Sequence, residues 1–149
     1  MIPAFTSDGL LPAGVHVCNL ADISAIFCGN PHRTDLFTNL QLCLADMKAA
    51  QLSGKVVING SFVTDKQIPA DVELTLDARA TSDQDKYRAF MYFQQKHDYA
   101  KATWKVDWYP TLDAGNNFVA FFQYVGVKSA VIKNIPANSP KGVLGLTSW

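Results

Sequence analysis

The sequence predicts an α/β or α+β domain built on one mixed sheet flanked by helices. Short, almost purely apolar runs such as Lys55 to Asn59 alternate with longer stretches whose apolar residues recur at helical spacing. Apolar runs of that kind are buried on both faces of a helix-covered sheet. The chain has 149 residues, 48% of them hydrophobic and 17% charged, which suits one hydrophobic core and argues against disorder. A single domain over residues 1–149 is therefore expected.

Residues 1–18 carry Pro3, Gly9, Pro12 and Gly14 around a few apolar anchors and read as an ordered N-terminal arm laid over the core. Leu20, Ile23, Ile26 and Phe27 then predict a short helix capped by Asn19 and ended by Cys28-Gly29. Asn30-Pro31 supplies a cap followed by proline at the first helical position. Leu36, Leu40, Cys43, Leu44 and Met47 follow at helical spacing, so residues 31–51 are expected to form a long amphipathic helix closed by Gly54. After the strand at 55–59 and a second at 71–77, Thr81-Ser82-Asp83-Gln84 has the form of a capping box. Tyr87, Phe90 and Met91 place a helix from there to about Tyr99.

A third strand is read at Trp104 to Tyr109, stopped by Pro110. Asn116 is expected to cap a helix carrying Phe118, Phe121, Phe122 and Val125 on one face. Residues 127–132 read as a short strand, residues up to Lys141 as a loop marked by Pro136 and Pro140, and 142–146 as a final edge strand.

The chemistry concentrates between Val56 and Leu76. The apolar run Val56-Val57-Ile58 stops at Asn59-Gly60-Ser61, and after a polar connector a second run carries Asp71 and Glu73 around Val72. On an extended strand Asp71, Glu73, Thr75 and Asp77 share one face, while Val72, Leu74 and Leu76 point into the core. Same-face neighbours lie roughly 6.5 Å apart, so the arms of Asp71 and Glu73 can converge on a hard cation. Asp77 is too far along to join them. Gly60 lets the backbone approach a ligand, and a helical turn after it would aim N–H groups and the Ser61 hydroxyl at phosphate oxygens. In the third strand, alternation puts Asp107 on a face with Lys105 and Tyr109.

Gly60-Ser61, followed after the nine residues Phe62 to Ala70 by Asp71-x-Glu73, resembles the nucleotidyltransferase-like domain of the DNA polymerase β superfamily. That pattern has Asp at the second acidic position, where this chain has Glu73. The opening Ile2 to His16 and the segments Gly60 to Lys66, Phe121-Phe122-Gln123 and Pro140-Lys141-Gly142 resemble a family of small, poorly characterised bacterial and phage proteins with this domain. The resemblance implies a metal set of Asp71, Glu73 and Asp107 holding Mg²⁺ or Mn²⁺. It also implies an NTP whose phosphates lie against Gly60, Ser61 and Lys66, with transfer of a nucleotidyl group to a protein or RNA acceptor. Lys105 would be a further cation near the site. The alternative on the same fold is a degenerate site in a protein-binding module, with a toxin or a host defence component as partner. A surface cluster of Trp108, Tyr109, Tyr124 and Trp149 would mark such a partner patch.

Composition narrows the classes further. Thirteen basic against thirteen acidic side chains argue against direct binding of nucleic acid. Cys18, Cys28 and Cys43 form no paired motif and read as reduced thiols, and His16, His32 and His97 show no zinc spacing. No apolar stretch is long enough for a membrane helix, and the expected location is cytoplasmic.

Overall fold

The computed structural model describes all residues, Met1–Trp149. Five strands form one mixed sheet: β1 (Gly14–Cys18), β2 (Lys55–Asn59), β3 (Val72–Asp77), β4 (Val106–Thr111) and β5 (Gly142–Leu146). Their spatial order is β1-β5-β2-β3-β4. The β1–β5 and β3–β4 pairs are parallel, and β2 runs antiparallel to both β3 and β5. The apolar β2 lies at the centre, as its composition predicts.

The helices α1 (Leu20–Phe27), α2 (Pro31–Ala49) and α3 (Asp83–Tyr99) share the main core with Val56, Ile58, Leu74, Leu76, Val106 and Trp108. Asn19 and Asp22 close a reciprocal capping box on α1, and Asn30 caps α2 through the Arg33 N–H at 2.9 Å. The cap of α3 is Ser82, bonded to the Asp85 N–H, one residue beyond the expected Thr81. On the other face of the sheet, Phe122 of the segment after α4 (Phe118–Phe121) buries Val57 and Val143. No helix is long and apolar enough to cross a membrane.

Several expectations are corrected. The arm at 1–18 ends in β1, a true strand. Residues 142–146 form an interior strand between β1 and β2, where pairing across the whole chain length puts them. Residues 127–132 belong to a helix, α5 (Val127–Lys133), whose Ala130 packs with Leu10 and Val125. The third strand begins at Val106, because Ala100–Trp104 forms a π-helical turn ended by Lys105 in the left-handed region. It also runs through Pro110, which β4 tolerates as an edge strand pairing only with β3. The cap of α4 is Asn117, not Asn116. Thr75 is buried, its hydroxyl bonded to that of Thr111 at 2.8 Å beneath α4.

Candidate functional site

Strand register assembles the site. Asn59 lies opposite Glu73, and Glu73 opposite Asp107, so β2, β3 and β4 present one row of polar side chains on the same face of the sheet. Asp71 stands one pleat before Glu73. In the next row Val57 and Thr75 are buried and Tyr109 is half-buried with its hydroxyl turned to Asp107, which confines the polar surface to one end of the sheet. Asn59 Nδ2 donates to Glu73 Oε2 at 2.8 Å, and its Oδ1 is buried with no hydrogen-bond partner. An orphaned acceptor beside carboxylates can take a hydrogen bond from a donor or contact a cation.

The wall opposite the row is the Gly60 turn. Gly60 has φ +88°, and a Cβ there would lie 3.3 Å from the Glu73 backbone nitrogen and Cγ, so only glycine brings the turn this close. Ser61–Val63 forms the helical turn expected after it. The connector beyond is fixed by the start of α2: Asn30 Nδ2 donates to the Gln67 carbonyl, the His32 ring bonds that of Pro69, and Arg33 bonds those of Ser61, Phe62, Thr64 and Lys66. Sequence patterning shows Arg33 only as a polar residue on a helix. Its role depends on the tertiary closeness of α2 and the turn.

Asp107 is the most heavily engaged carboxylate. His97 Nε2 and Asp107 Oδ1 are 3.2 Å apart, Tyr109 donates to Oδ2 at 3.2 Å, and the Lys101 ammonium lies 3.4 Å from the same oxygen. The expected neighbour Lys105 is turned away and donates to the Ala102 carbonyl, so Lys101 is the cation beside Asp107. His97, in the last turn of α3, is a member that its isolated position in the sequence concealed.

Burial, reinforced by Asp107, raises the pKa of Asp71 from its ordinary value, against the pull of Lys101 and Lys66. Burial also raises that of Glu73, with Asp71 and Asp107 adding to it and Lys141 and Asn59 opposing. The Tyr109 phenol is pushed up to about 12, first by burial and then by Asp107. Lys141, quoted in the sequence only as part of a motif, lines the cleft with Asn59, Gly60, Ser61, Asp71 and Glu73. The cleft has a volume of about 230 Å³, with Phe121, Tyr124 and Ile132 at its rim.

Asp71, Glu73 and Asp107 are thus neighbours, but no three His, Cys, Asp or Glu side chains close into a ready cluster for a metal ion. Asp71, Glu73 and the Asn59 amide oxygen are hard oxygen donors, the residues here that could hold a cation such as Mg²⁺, which takes one or two carboxylates and keeps several waters. The expected aromatic patch does not form. Trp108 is wholly buried, and Trp149 packs on the core and donates to the Gly54 carbonyl. Exposed apolar side chains occur along much of the chain, Val17, Ile68 and Tyr87 among them, and five fall close together in sequence on α4, α5 and the link between them, at Phe121, Tyr124, Val127, Val131 and Ile132.

The chain is therefore a mixed-sheet α+β protein with a polar cleft where β2 ends and β3 begins, lined by the carboxylates Asp71 and Glu73 and by Lys66, Lys128 and Lys141. Residues 3–147 match the family of unknown function DUF6932, and the chain belongs to that family. No curated protein and no solved structure matches it.

Proposed function

We propose that the cleft is a metal-assisted nucleotidyl-transfer site, moving a nucleotidyl group from an NTP to a hydroxyl of a protein or RNA acceptor. The observation that carries this reading is the row Asn59, Glu73, Asp107, with Asp71 one pleat away and the Gly60-Ser61 turn facing it. The resemblance of Gly60-Ser61 and Asp71-x-Glu73 to nucleotidyltransferase-like domains supports the same chemistry. Asp71 and Glu73 would hold Mg²⁺ or Mn²⁺, which when bound supplies charge neutralisation at the phosphates. Ser61 and Lys66 would bind the β- and γ-phosphates. As the acceptor oxygen bonds to the α-phosphorus, the bond to pyrophosphate breaks and the hydroxyl proton passes to Asp107, which His97 and Tyr109 hold in place. Three free cysteines suit a reducing, cytoplasmic setting where NTP is plentiful.

A second reading is favoured by the exposed apolar surface on α4 and α5. On it, the fold is a protein-binding module whose partner is a toxin or a host defence component.

Calorimetric titration with ATP, GTP, CTP and UTP in Mg²⁺ or Mn²⁺ separates the two. Metal-dependent binding that disappears in Asp71→Ala is the expected result. If no nucleotide binds to folded protein, the transfer reading falls and the binding-module reading takes its place.

A further inference from the structure

A second cavity, of about 240 Å³, lies beside the cleft and shares Ser61, Lys66, Ser129, Ile132 and Lys141 with it. Three lysines line it. Lys133 is already committed, donating to the Asp8 carbonyl at 2.7 Å and to Asp65 Oδ1 at 3.1 Å. The ammonium groups of Lys66 and Lys141 have no such partner. That leaves two ammonium groups without a contacting carboxylate in a small cavity whose own carboxylate, Asp65, is paired with Lys133; Asp71 and Glu73 act on them only from the adjoining cleft.

Lys141 is the unusual one. It is only 8% exposed, yet its ammonium forms no hydrogen bond and no ion pair. Its position is rigid, since the Lys141 N–H bonds the Gln123 carbonyl and the Gly142 N–H bonds that of Leu11, both at 2.9 Å. Were Lys141 present only to neutralise Glu73, the two would be in contact, and they are not. Burial pulls its pKa down, Glu73 opposes that shift, and Lys133 adds to it. The stem of Lys141 is buried and its ammonium opens on the cavity, where a phosphate oxygen would supply the charged partner that the protein does not place in contact with it.

We propose that this lysine-lined cavity is a phosphate site, taking the terminal phosphoryl group of an oligophosphate that extends from the carboxylate cleft, with Lys141 as its anchor and Lys66, Ser61 and Ser129 around it. The oligophosphate being part of a nucleotide rests on the function proposed above. The anion site itself requires no metal.

The test is calorimetric titration of the full chain, in the presence of EDTA, with inorganic phosphate, pyrophosphate and tripolyphosphate. Tripolyphosphate is expected to bind most tightly. Lys141→Met is expected to weaken it roughly tenfold or more, as loss of a charge-assisted contact does. Lys66 is exposed, so Lys66→Ala folds normally and is expected to weaken binding even if Lys141→Met proves unstable. Absence of metal-free binding, or binding indifferent to both lysine substitutions, overturns the site. Metal-free binding sensitive to the lysines, with no added effect of Mg²⁺ or nucleoside, upholds it and removes the nucleotide reading instead.

Discussion

Nη1 of Arg33 donates to the carbonyl of Phe62 at 2.7 Å, tying the first turn of α2 to the turn that walls the cleft. Nη2 reaches the Thr64 carbonyl at 2.7 Å, Nε reaches Lys66 at 3.0 Å, and Nη1 also touches Phe27 at 3.2 Å. Arg33 is 5% exposed and has no carboxylate partner; backbone carbonyl dipoles satisfy it. The planar fork is thus a template on which residues 61–66 are wound. Arg33→Met leaves those carbonyls unpaired and is expected to cost about 3–5 kcal/mol in urea denaturation. Arg33→Lys should recover only a minor part, because one ammonium cannot reach carbonyls spread around a guanidinium. A cost under about 1 kcal/mol for Arg33→Met would show that the turn holds its own shape.

Asp71 carries a pH-dependent cost. Its folded-state pKa lies above the ordinary value of 3.8, chiefly through burial, so the folded state binds this proton more tightly than the unfolded chain does. The ionised form therefore costs stability above the folded pKa, and the cost is absent below the unfolded one. Asp71→Asn is expected to raise the urea midpoint at neutral pH, with the gain shrinking toward zero near pH 3, about one unit below the unfolded pKa. A mutant less stable than the parent at neutral pH, or a gain that ignores pH, would contradict this assignment.

Local signals made much of the scaffold readable. Asn19, Asn30 and the Thr81–Gln84 region mark helix starts to within a residue, because a cap is a contact between near neighbours. The alternation of Val72, Leu74 and Leu76 against Asp71 and Glu73 shows which face of β3 is core. Periodicity could not say that Thr75 on the second face is buried, since the cover comes from Phe118 and Phe122 far along the chain. For the same reason the sequence predicts an edge strand at 142–146, although β1 joins β5 from the opposite end of the chain. Of the site, Asp71, Glu73, Asp107 and the Gly60 turn were visible as types at spacings. Arg33, His97 and Lys141 were not, because an arginine among carbonyls or a lysine without a counter-ion is defined only by what folding brings near it.

Gly60 is the position where the cleft tolerates least change. Its φ of +88° disfavours any side chain, and a Cβ would press on Glu73 at 3.3 Å. Gly60→Ala is expected to lose about 1–2 kcal/mol of stability from backbone strain alone. It should also weaken Mg²⁺-dependent nucleotide binding beyond what the stability loss explains, because Glu73 must move to make room. Unchanged nucleotide affinity in folded Gly60→Ala would separate the turn from the carboxylates.

The segment 127–133 tests helix against strand by substitution alone. A strand would put Lys128, Ala130 and Ile132 on one face, so Ala130 and Ile132 would respond alike. In α5 they do not share a face. Ala130 is 2% exposed against Leu10 and Val125, whereas Val131 and Ile132 are 74% and 72% exposed. Ala130→Glu buries a charge in that small cluster and is expected to cost about 2–3 kcal/mol or to force the helix off the domain. Val131→Glu and Ile132→Glu should each fall within about 0.5 kcal/mol of the parent in urea denaturation. The same two exposed substitutions serve the binding-module reading, since they interrupt the apolar surface without unfolding it. A protein partner held there would lose affinity in both variants, while metal-dependent nucleotide binding that persists in Val131→Glu would belong to the carboxylates and not to this face; Ile132 lines the cleft as well and does not separate the two.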